Sequence, residues 1–590
     1  MHTDNRRSLK ASAAAIACLA ANVVAVSEAA AQAPTREEIR RDRLDEQLRT
    51  TGEGVAVDVD LARAPCVLDD PRYADIRFTL AGVNFAGAEA VEPGLLEQSW
   101  SDLAGQDLQI AEVCRIRDRA TQLLNDAGYV ASVQVPPQTI DDGVVRFDVV
   151  VARITGLVVR GEPGPSGAML RRYFEKLRAE PVFRKPQAER ILLLARDIPG
   201  LDVRLSLARD VGDDARPGDL IGIIDVVGQR FVADLNIQNY SPKSTGRFGG
   251  LARAQLNGLT GLADLTEVSV YSSQDPSEQL VLQGRHEFGI GTNGLRFGVS
   301  AVHAWSQPDV AGPDVFDTTT FIGTAYASFP LVRRQTRNLG IVVGFDWIDQ
   351  QIEFNDLELS KDKLRVPFVR LVGSAIDRAS AEGRGGYNIA EPRFAASATL
   401  EARQGISALG ASDDCQPNIL VCLFGTSISR LDADPTSFVL RGDAQVDFRP
   451  SPKFLISLAP RFQYASGALL PYEQFSGGNF TVGRGYDPGD VVGDSGVGLR
   501  AEAAFGSLQP ETPNGIAWQP FVFFDTLAAW TKNVPDDPVT LNSVGAGVRF
   551  NIARRAFLEV LGALPLERAP LDLERGDARL LVNLTVSFGS

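Results

Sequence analysis

Phe438 to Arg449 reads FVLRGDAQVDFR, and it alternates without a break. Phe438, Leu440, Gly442, Ala444, Val446 and Phe448 fall on one face, and Arg441, Asp443, Gln445, Asp447 and Arg449 on the other. A period of two is that of an extended strand with one apolar and one polar side. Two settings accept such a strand: a soluble sandwich, with a core on one side and water on the other, or a membrane barrel, with lipid and lumen. The neighbouring sequence repeats the pattern. Leu339, Ile341, Val343, Phe345 and Trp347 oppose Asn338, Gly340 and Asp346, and Leu580, Val582, Leu584, Val586 and Phe588 oppose Asn583, Thr585 and Ser587. From Arg230 onward about sixteen such segments follow one another, each of roughly ten residues, the length that crosses a bilayer at a tilt.

Gap lengths provide an internal check on a barrel. If both barrel ends face one side, gaps after odd strands open to the other side and are long, while gaps after even strands are tight turns. The long gaps are Ser306 to Thr318, Gln404 to Thr436, Gly467 to Ser495 and Ala528 to Thr540; Gly291 to Gly294 and Pro450 to Lys453 are short. Asp377 to Ile389 is long for its parity.

The chain before the barrel divides into smaller zones. Residues 1–33 carry Arg6, Arg7 and Lys10, an Ala-rich apolar run from Ala11 to Val26, and Ala31-Gln32-Ala33, the pattern of a cleavable export signal. Residues 34–50, TREEIRRDRLDEQLR from Thr35, open with the capping pair Thr35 and Glu38 and predict a short polar helix, followed by a linker at 51–71. Residues 72–152 and 153–229 contain one pattern twice: strand, helix, strand, strand, in about the size of a small α+β domain. In the first copy Ile76 to Phe85 reads as one strand, Ile110 to Ala127 as a helix, and Val130 to Ile154 as a hairpin turned by Asp141-Asp142-Gly143.

Composition narrows the function. The 590 residues carry a formal charge of −15, which gives nucleic acid no electrostatic foothold. Of five cysteines Cys18 lies in the leader, and Cys66, Cys114, Cys415 and Cys422 remain, an even number in an oxidising compartment. Cys415 and Cys422 share one gap and can close it locally; Cys66 and Cys114 would meet through the fold of the N-terminal domain. Spacing alone leaves the pairing open. His286 and His303 are the histidines beyond the leader, and no Cys-x-x-Cys occurs, so no metal or cofactor site is expected.

This order resembles the two-partner secretion transporters (TpsB), the hemolysin secretion/activation proteins of Gram-negative outer membranes. The first repeat, Gly128 to Ile154, is similar to that family's polypeptide-transport-associated (POTRA) domain in its Gly-Tyr, Pro-x-Gln and Asp-Gly elements. The second, Glu189 to Leu207, resembles it in its Glu-Arg, Leu-Leu and Pro-Gly run. The resemblance implies a transmembrane β-barrel of about 16 antiparallel strands at 230–590, two periplasmic POTRA domains, and a helix at 34–50 that plugs the lumen. It also implies passage of an unfolded TpsA-like exoprotein through the barrel without ATP, with outer-membrane lipid around the wall and the barrel assembly machinery inserting it. Capture by strand addition would fall on the hairpin Val130 to Val151 or its helix groove, with Gly128, Tyr129, Val133, Val135 and Gln138 as cargo-binding candidates. A related reading is a factor that inserts other outer-membrane proteins; a passive porin would not need the N-terminal domains.

The family carries a Val-Arg-Gly-Phe/Tyr motif on a long loop that folds back into the barrel. Here residues 475–495 supply it as Val482-Gly483-Arg484-Gly485-Tyr486, with one additional glycine. Its partner is an aspartate in Phe-x-Asp-x-Gly, which here reads Phe523-Phe524-Asp525-Thr526-Leu527, with leucine for glycine. Alternation sends Val522 and Phe524 to lipid and Phe523 and Asp525 to the lumen. A guanidinium can hold a carboxylate through two parallel hydrogen bonds, and in a hydrated lumen the pair is expected to contribute about 1 kcal/mol or somewhat more. Gly493-Asp494-Ser495-Gly496 matches the tetrapeptide around a protease nucleophile, but the histidines lie nearly 200 residues away on strands, so no catalytic residue is assigned. Gly289-Ile290-Gly291-Thr292-Asn293-Gly294 has dinucleotide-loop spacing but precedes a strand, and reads as a hairpin turn.

Overall fold

The computed structural model describes residues 34–39, 66–309, 316–415, 422, 427–534, 538–570 and 572–589. The export signal at 1–33 lies outside the described residues, as do most of the 34–50 helix and of the linker. What is described of that helix is α1 (Arg36–Ile39). Its capping box forms as the sequence suggests, Thr35 N–H donating to Glu38 Oε2 at 2.7 Å and Glu38 N–H to Thr35 Oγ1 at 3.3 Å.

The first small domain contains β1 (Arg77–Thr79), β2 (Gly82–Ala86), β3 (Asp107–Gln109), α2 (Glu112–Asp126), β4 (Ala131–Gln134) and β5 (Val144–Val151). β2 runs parallel to β5, which pairs antiparallel with β4. The single strand expected over Ile76 to Phe85 is two strands in different sheets. Leu80 is fully buried and its backbone bonds Gln106 and Gly105, whereas Ala81 N–H already donates to Gly143, so the chain changes partner between them. Cys66 is bonded to Cys114 on α2.

The second domain repeats the plan with β6 (Arg153–Gly161), α3 (Gly167–Arg178), α4 (Lys185–Arg196), β7 (Leu201–Arg209) and β8 (Asp219–Gly228), ordered β6-β8-β7. Both helices put apolar residues inward, among them Leu170, Phe174, Ile191 and Leu194, against Leu205 and Ile224 of the sheet. The joint between the domains is tight. Gly128 adopts φ +83°, and a Cβ there would stand 2.7 Å from Pro186 Cδ, so both the turn and the close approach require glycine.

Two residues after β8 the barrel begins. Its strands are β9 (Phe231–Gln238), β10 (Gly249–Asn257), β11 (Leu265–Ser273), β12 (Gln279–Ile290), β13 (Leu295–Ser306), β14 (Phe316–Arg333), β15 (Arg337–Phe354) and β16 (Leu357–Ile376). They continue with β17 (Phe394–Gln404), β18 (Phe438–Ser451) and β19 (Phe454–Ala465). A short hairpin outside the wall, β20 (Phe475–Gly477) with β21 (Val491–Gly493), interrupts the series before β22 (Ser495–Phe505), β23 (Ile516–Trp530), β24 (Val539–Ile552), β25 (Ala556–Pro565) and β26 (Arg579–Gly589). Among the described residues sixteen strands pair antiparallel in sequence order, and β26 pairs with β9 to close the ring. Closure leaves the wall no unpaired edge, the condition for crossing lipid as strands. The outward-facing side chains form an apolar band that includes Val268, Val299, Val343, Val522 and Trp518, all exposed. On β18 Arg441 and Arg449 are buried while Phe448 is exposed, as the opening alternation requires.

Parity sorts the gaps. The turns at 291–294 and 334–336 meet the second domain: Lys176 on α3 reaches Asn293 at 3.0 Å, Arg333 forks onto Asp197 at 2.6 and 2.7 Å, and Gln335 N–H donates to Glu189 on α4 at 2.6 Å. The small domains therefore sit at the tight-turn end of the barrel and the long gaps open at the other. The gap between Ile376 and Phe394 is a folded element, α5 (Arg378–Ala381), capped by Asp377, whose carboxylate also accepts Phe394 N–H.

Candidate functional site: the loop inside the barrel

A ring of sixteen strands is too wide for its own wall side chains to fill. Here residues 466–494 turn back into it. Gly478 (φ +124°) and Gly483 (φ +108°) supply the backbone reversal, and Val482, Tyr486 and Val491 pack with Phe475, Leu527 and Leu541 into an apolar cluster within the lumen.

Arg484 is held from three directions. Its Nε and Nη2 donate to Asp525 Oδ2 and Oδ1 at 3.0 and 2.8 Å, and its own N–H adds a third bond to Oδ2 at 2.9 Å. Nη1 reaches Glu502 at 3.1 Å, and the guanidinium lies 3.6 Å from the centre of the Phe523 ring. Arg484 is 3% exposed and Asp525 0%. The expectation of a weak pair in a wet lumen is therefore corrected. Removing one partner of a buried, fully bonded pair costs about 3–5 kcal/mol, because the other charge stays behind.

The structure also accounts for the two departures from the family pattern. Leu527 is buried, and a Cβ on Gly477 would meet its Cδ2 at 2.7 Å, so leucine on the wall occupies space that glycine leaves on the loop. Gly483 lies over the same side chain. Gly485 passes so near β24 and β25 that a Cβ would stand 2.8 Å from Pro565 N and 2.9 Å from Ser543 Cβ. Tyr486 donates to Asn542 O at 2.8 Å and accepts Glu567 N–H at 3.0 Å, while Val482 rests against Gly498.

Several residues at the site were not named from the sequence. Glu502 bridges Arg484 to Arg549, which donates to Glu559 at 2.6 Å; Glu559 in turn accepts from Tyr240 at 2.9 Å. Continuing the alternation from Gly496 places Glu502 on the lumen face, a signal present in the sequence. On the far wall Arg403, 1% exposed, donates to Asp346 at 2.9 Å and to Glu473 on the descending leg of the loop at 2.6 Å. α1 lies in the lumen as well. Ile39 is fully buried among Tyr271, Ile322, Ile348 and Leu364, and Glu37 pairs with Arg461 of the wall and accepts from Ser476 of the loop.

The remaining candidates fall elsewhere. Tyr129 and Val133 are buried in the core of the first domain, and Tyr129 lies under Arg184 of the second at 4.8 Å. Gln138 clamps its own hairpin through both backbone groups of Arg146, at 2.8 Å each, and Val135 packs on the core. With Gly128 in the domain joint, these five build the domain, and Tyr129 and Val133 offer no free side-chain surface to cargo. Cys415 is bonded to Cys422. Ser495 Oγ accepts Ala465 N–H, His286 pairs with Thr266, and His303 meets Trp305 edge to face, so the tetrapeptide has a structural partner and, among the described residues, no histidine beside it. The Gly289 to Gly294 stretch is the end of β12 and the turn that leads into β13.

A closed barrel with POTRA-like domains at its tight-turn end and an arginine-bearing loop returned to its lumen defines an outer-membrane POTRA-barrel protein. Residues 78–151 match the ShlB-type POTRA domain, and residues 326–550 match the haemolysin secretion/activation protein family ShlB/FhaC/HecB. Those matches, in that order, give the chain a POTRA domain and a barrel region similar to those of the haemolysin secretion/activation proteins. The heme/hemopexin transporter protein HuxB of Haemophilus influenzae (strain 86-028NP) is 24% identical over 203 residues, 33% of this chain and 34% of that protein. The chain thus spans about a third of the length of the curated relatives it matches. The structure of CdiB from Escherichia coli superposes with a TM-score of 0.71 at 17% identity, over 93% of this chain and 96% of that one. CdiB from Acinetobacter baumannii gives 0.64 at 15% identity, with the same coverage.

Proposed function

We propose that this protein passes an unfolded partner polypeptide of the TpsA type outward through its barrel, with the POTRA domains in the periplasm receiving the cargo. The observation that carries the reading is the content of the lumen. Among the described residues it holds two chain segments, 466–494 and α1, which are held by side-chain contacts to the wall and to each other, so both can leave without unpairing a wall strand. Cargo capture would use an exposed sheet edge of the POTRA domains, since backbone pairing asks nothing of the buried Tyr129 and Val133. No nucleotide is required in this scheme; folding of cargo outside biases net movement. The test is a deletion strain in which the secreted proteins and the outer-membrane proteome are quantified together. Loss of one large secreted protein with unchanged barrel proteins supports transport, whereas a general fall in barrel proteins supports an insertion factor.

A further inference from the structure

Asp494, in the tetrapeptide that resembles a protease site, is fully buried at the foot of the returning loop, directly after β21. Its Oδ1 accepts from Arg430 Nη1 at 2.6 Å and from Leu469 N–H at 2.8 Å, and its Oδ2 accepts from Lys532 N–H at 2.7 Å. Arg430 also donates to Lys532 O at 3.2 Å, to Leu469 O at 3.2 Å and to Asp432 Oδ1 at 2.8 Å; Asn533 donates to Asp432 at 3.1 Å. One ion pair therefore joins three separate gaps at the end of the barrel away from the POTRA domains: 405–437, 466–494 and 531–538. Asp494 and Leu469 belong to the two legs of the returning loop, so the carboxylate also draws those legs together.

We propose that Arg430 and Asp494 form a second closure of the barrel, at its outer mouth, which must be undone separately from the Arg484–Asp525 pair in the lumen before a polypeptide can pass. Three features support this. The partners come from gaps far apart in sequence, so the contacts serve no single hairpin. A buried carboxylate that satisfies two backbone N–H groups and a guanidinium cannot lose one partner without stranding the others. The outer closure also grips the base of the loop, while Arg484 grips its tip, so release of the tip alone leaves the chain folded across the mouth.

The proposal rests on the barrel being a protein-conducting channel, and its test separates the two ideas. In the purified full-length protein in planar bilayers, Arg430→Ala and Arg484→Ala each raise conductance only slightly, and the double variant raises it by more than the sum of the two, to at least threefold above wild type. That readout needs no cargo. Retained heat-modifiable migration on gels shows that each variant has folded. Strict additivity, or full opening by Arg484→Ala alone, overturns the proposal. A second arm joins the mouth instead: Asp432→Cys with Asn533→Cys, coupled by a short bismaleimide, is expected to reduce secretion at least tenfold relative to either single cysteine treated alike. Wild-type secretion after quantitative coupling overturns the proposal. Synergy in conductance from a protein whose deletion leaves secretion unchanged supports the outer closure and refutes the secretion reading.

Discussion

Arg484→Ala removes, in one step, both side-chain bonds to Asp525, one to Glu502 and the stacking on Phe523. The backbone bond from residue 484 to Asp525 can persist, but the carboxylate is then left buried and largely unpaired. The loss to the seated loop is about 3–5 kcal/mol by the general cost of breaking a buried ion pair. At about 1.4 kcal/mol per tenfold, the ratio of seated to unseated loop falls by roughly 100- to 4,000-fold. Hydrogen exchange of the loop amides 476–490, followed by mass spectrometry in detergent or nanodiscs, reads this directly. Protection should fall by that factor in the variant while amides of β22 and β23 are unchanged. Arg484→Lys keeps the charge but not the planar fork and should fall between. Secretion by Arg484→Ala is expected to be abolished although the barrel assembles. Wild-type protection of 476–490 together with normal secretion would refute the latch.

Gly477→Ala should destabilise the seated loop, since its Cβ meets Leu527 at 2.7 Å, and Leu527→Gly should restore it; thermal loss of heat-modifiable migration for the two single variants and the pair checks this. Leu527→Gly alone leaves a void and is expected to cost at least the about 2–5 kcal/mol typical of buried leucine truncation. Glu37→Gln weakens the contacts of α1 to Arg461 and Ser476, and should raise single-channel conductance without lowering barrel yield. Cys114→Ser opens a loop of 48 residues and should destabilise the first POTRA domain by about 4 kcal/mol, measured by limited proteolysis against denaturant, whereas Cys415→Ser, with a separation of 7, costs about 2 kcal/mol.

The wall was legible because it is written locally. A period of two needs no knowledge of the partner strand, so Phe438 to Arg449 declares an apolar and a polar face on its own, and gap lengths then tell one end of the barrel from the other. Domain order was legible for the same reason, from hairpin turns and helix periodicity. The partners of the loop were only partly legible. Alternation turned both Asp525 and Glu502 inward, but it was the resemblance that singled out Asp525 as the partner of Arg484; Glu502, Glu473 and Asp494 were not assigned partners, since an inward charge does not say which inward charge it meets. The division of Ile76 to Phe85 was hidden because an apolar run reads as one strand whether or not its backbone changes partner at Leu80.

Pattern alone set which residues face lipid and which face the lumen and where the chain turns, and the family resemblance added a carboxylate for Arg484 on a nearby strand. Only the tertiary structure decided that the pair is buried, that Leu527 fills the place left by Gly477, that Tyr129 and Val133 belong to a core, and that Asp494 ties three gaps together. The reason is physical: facing is set by the pleat, residue by residue, whereas contact across a lumen is set by the stagger of a closed sheet, which brings to one level side chains tens to more than a hundred positions apart.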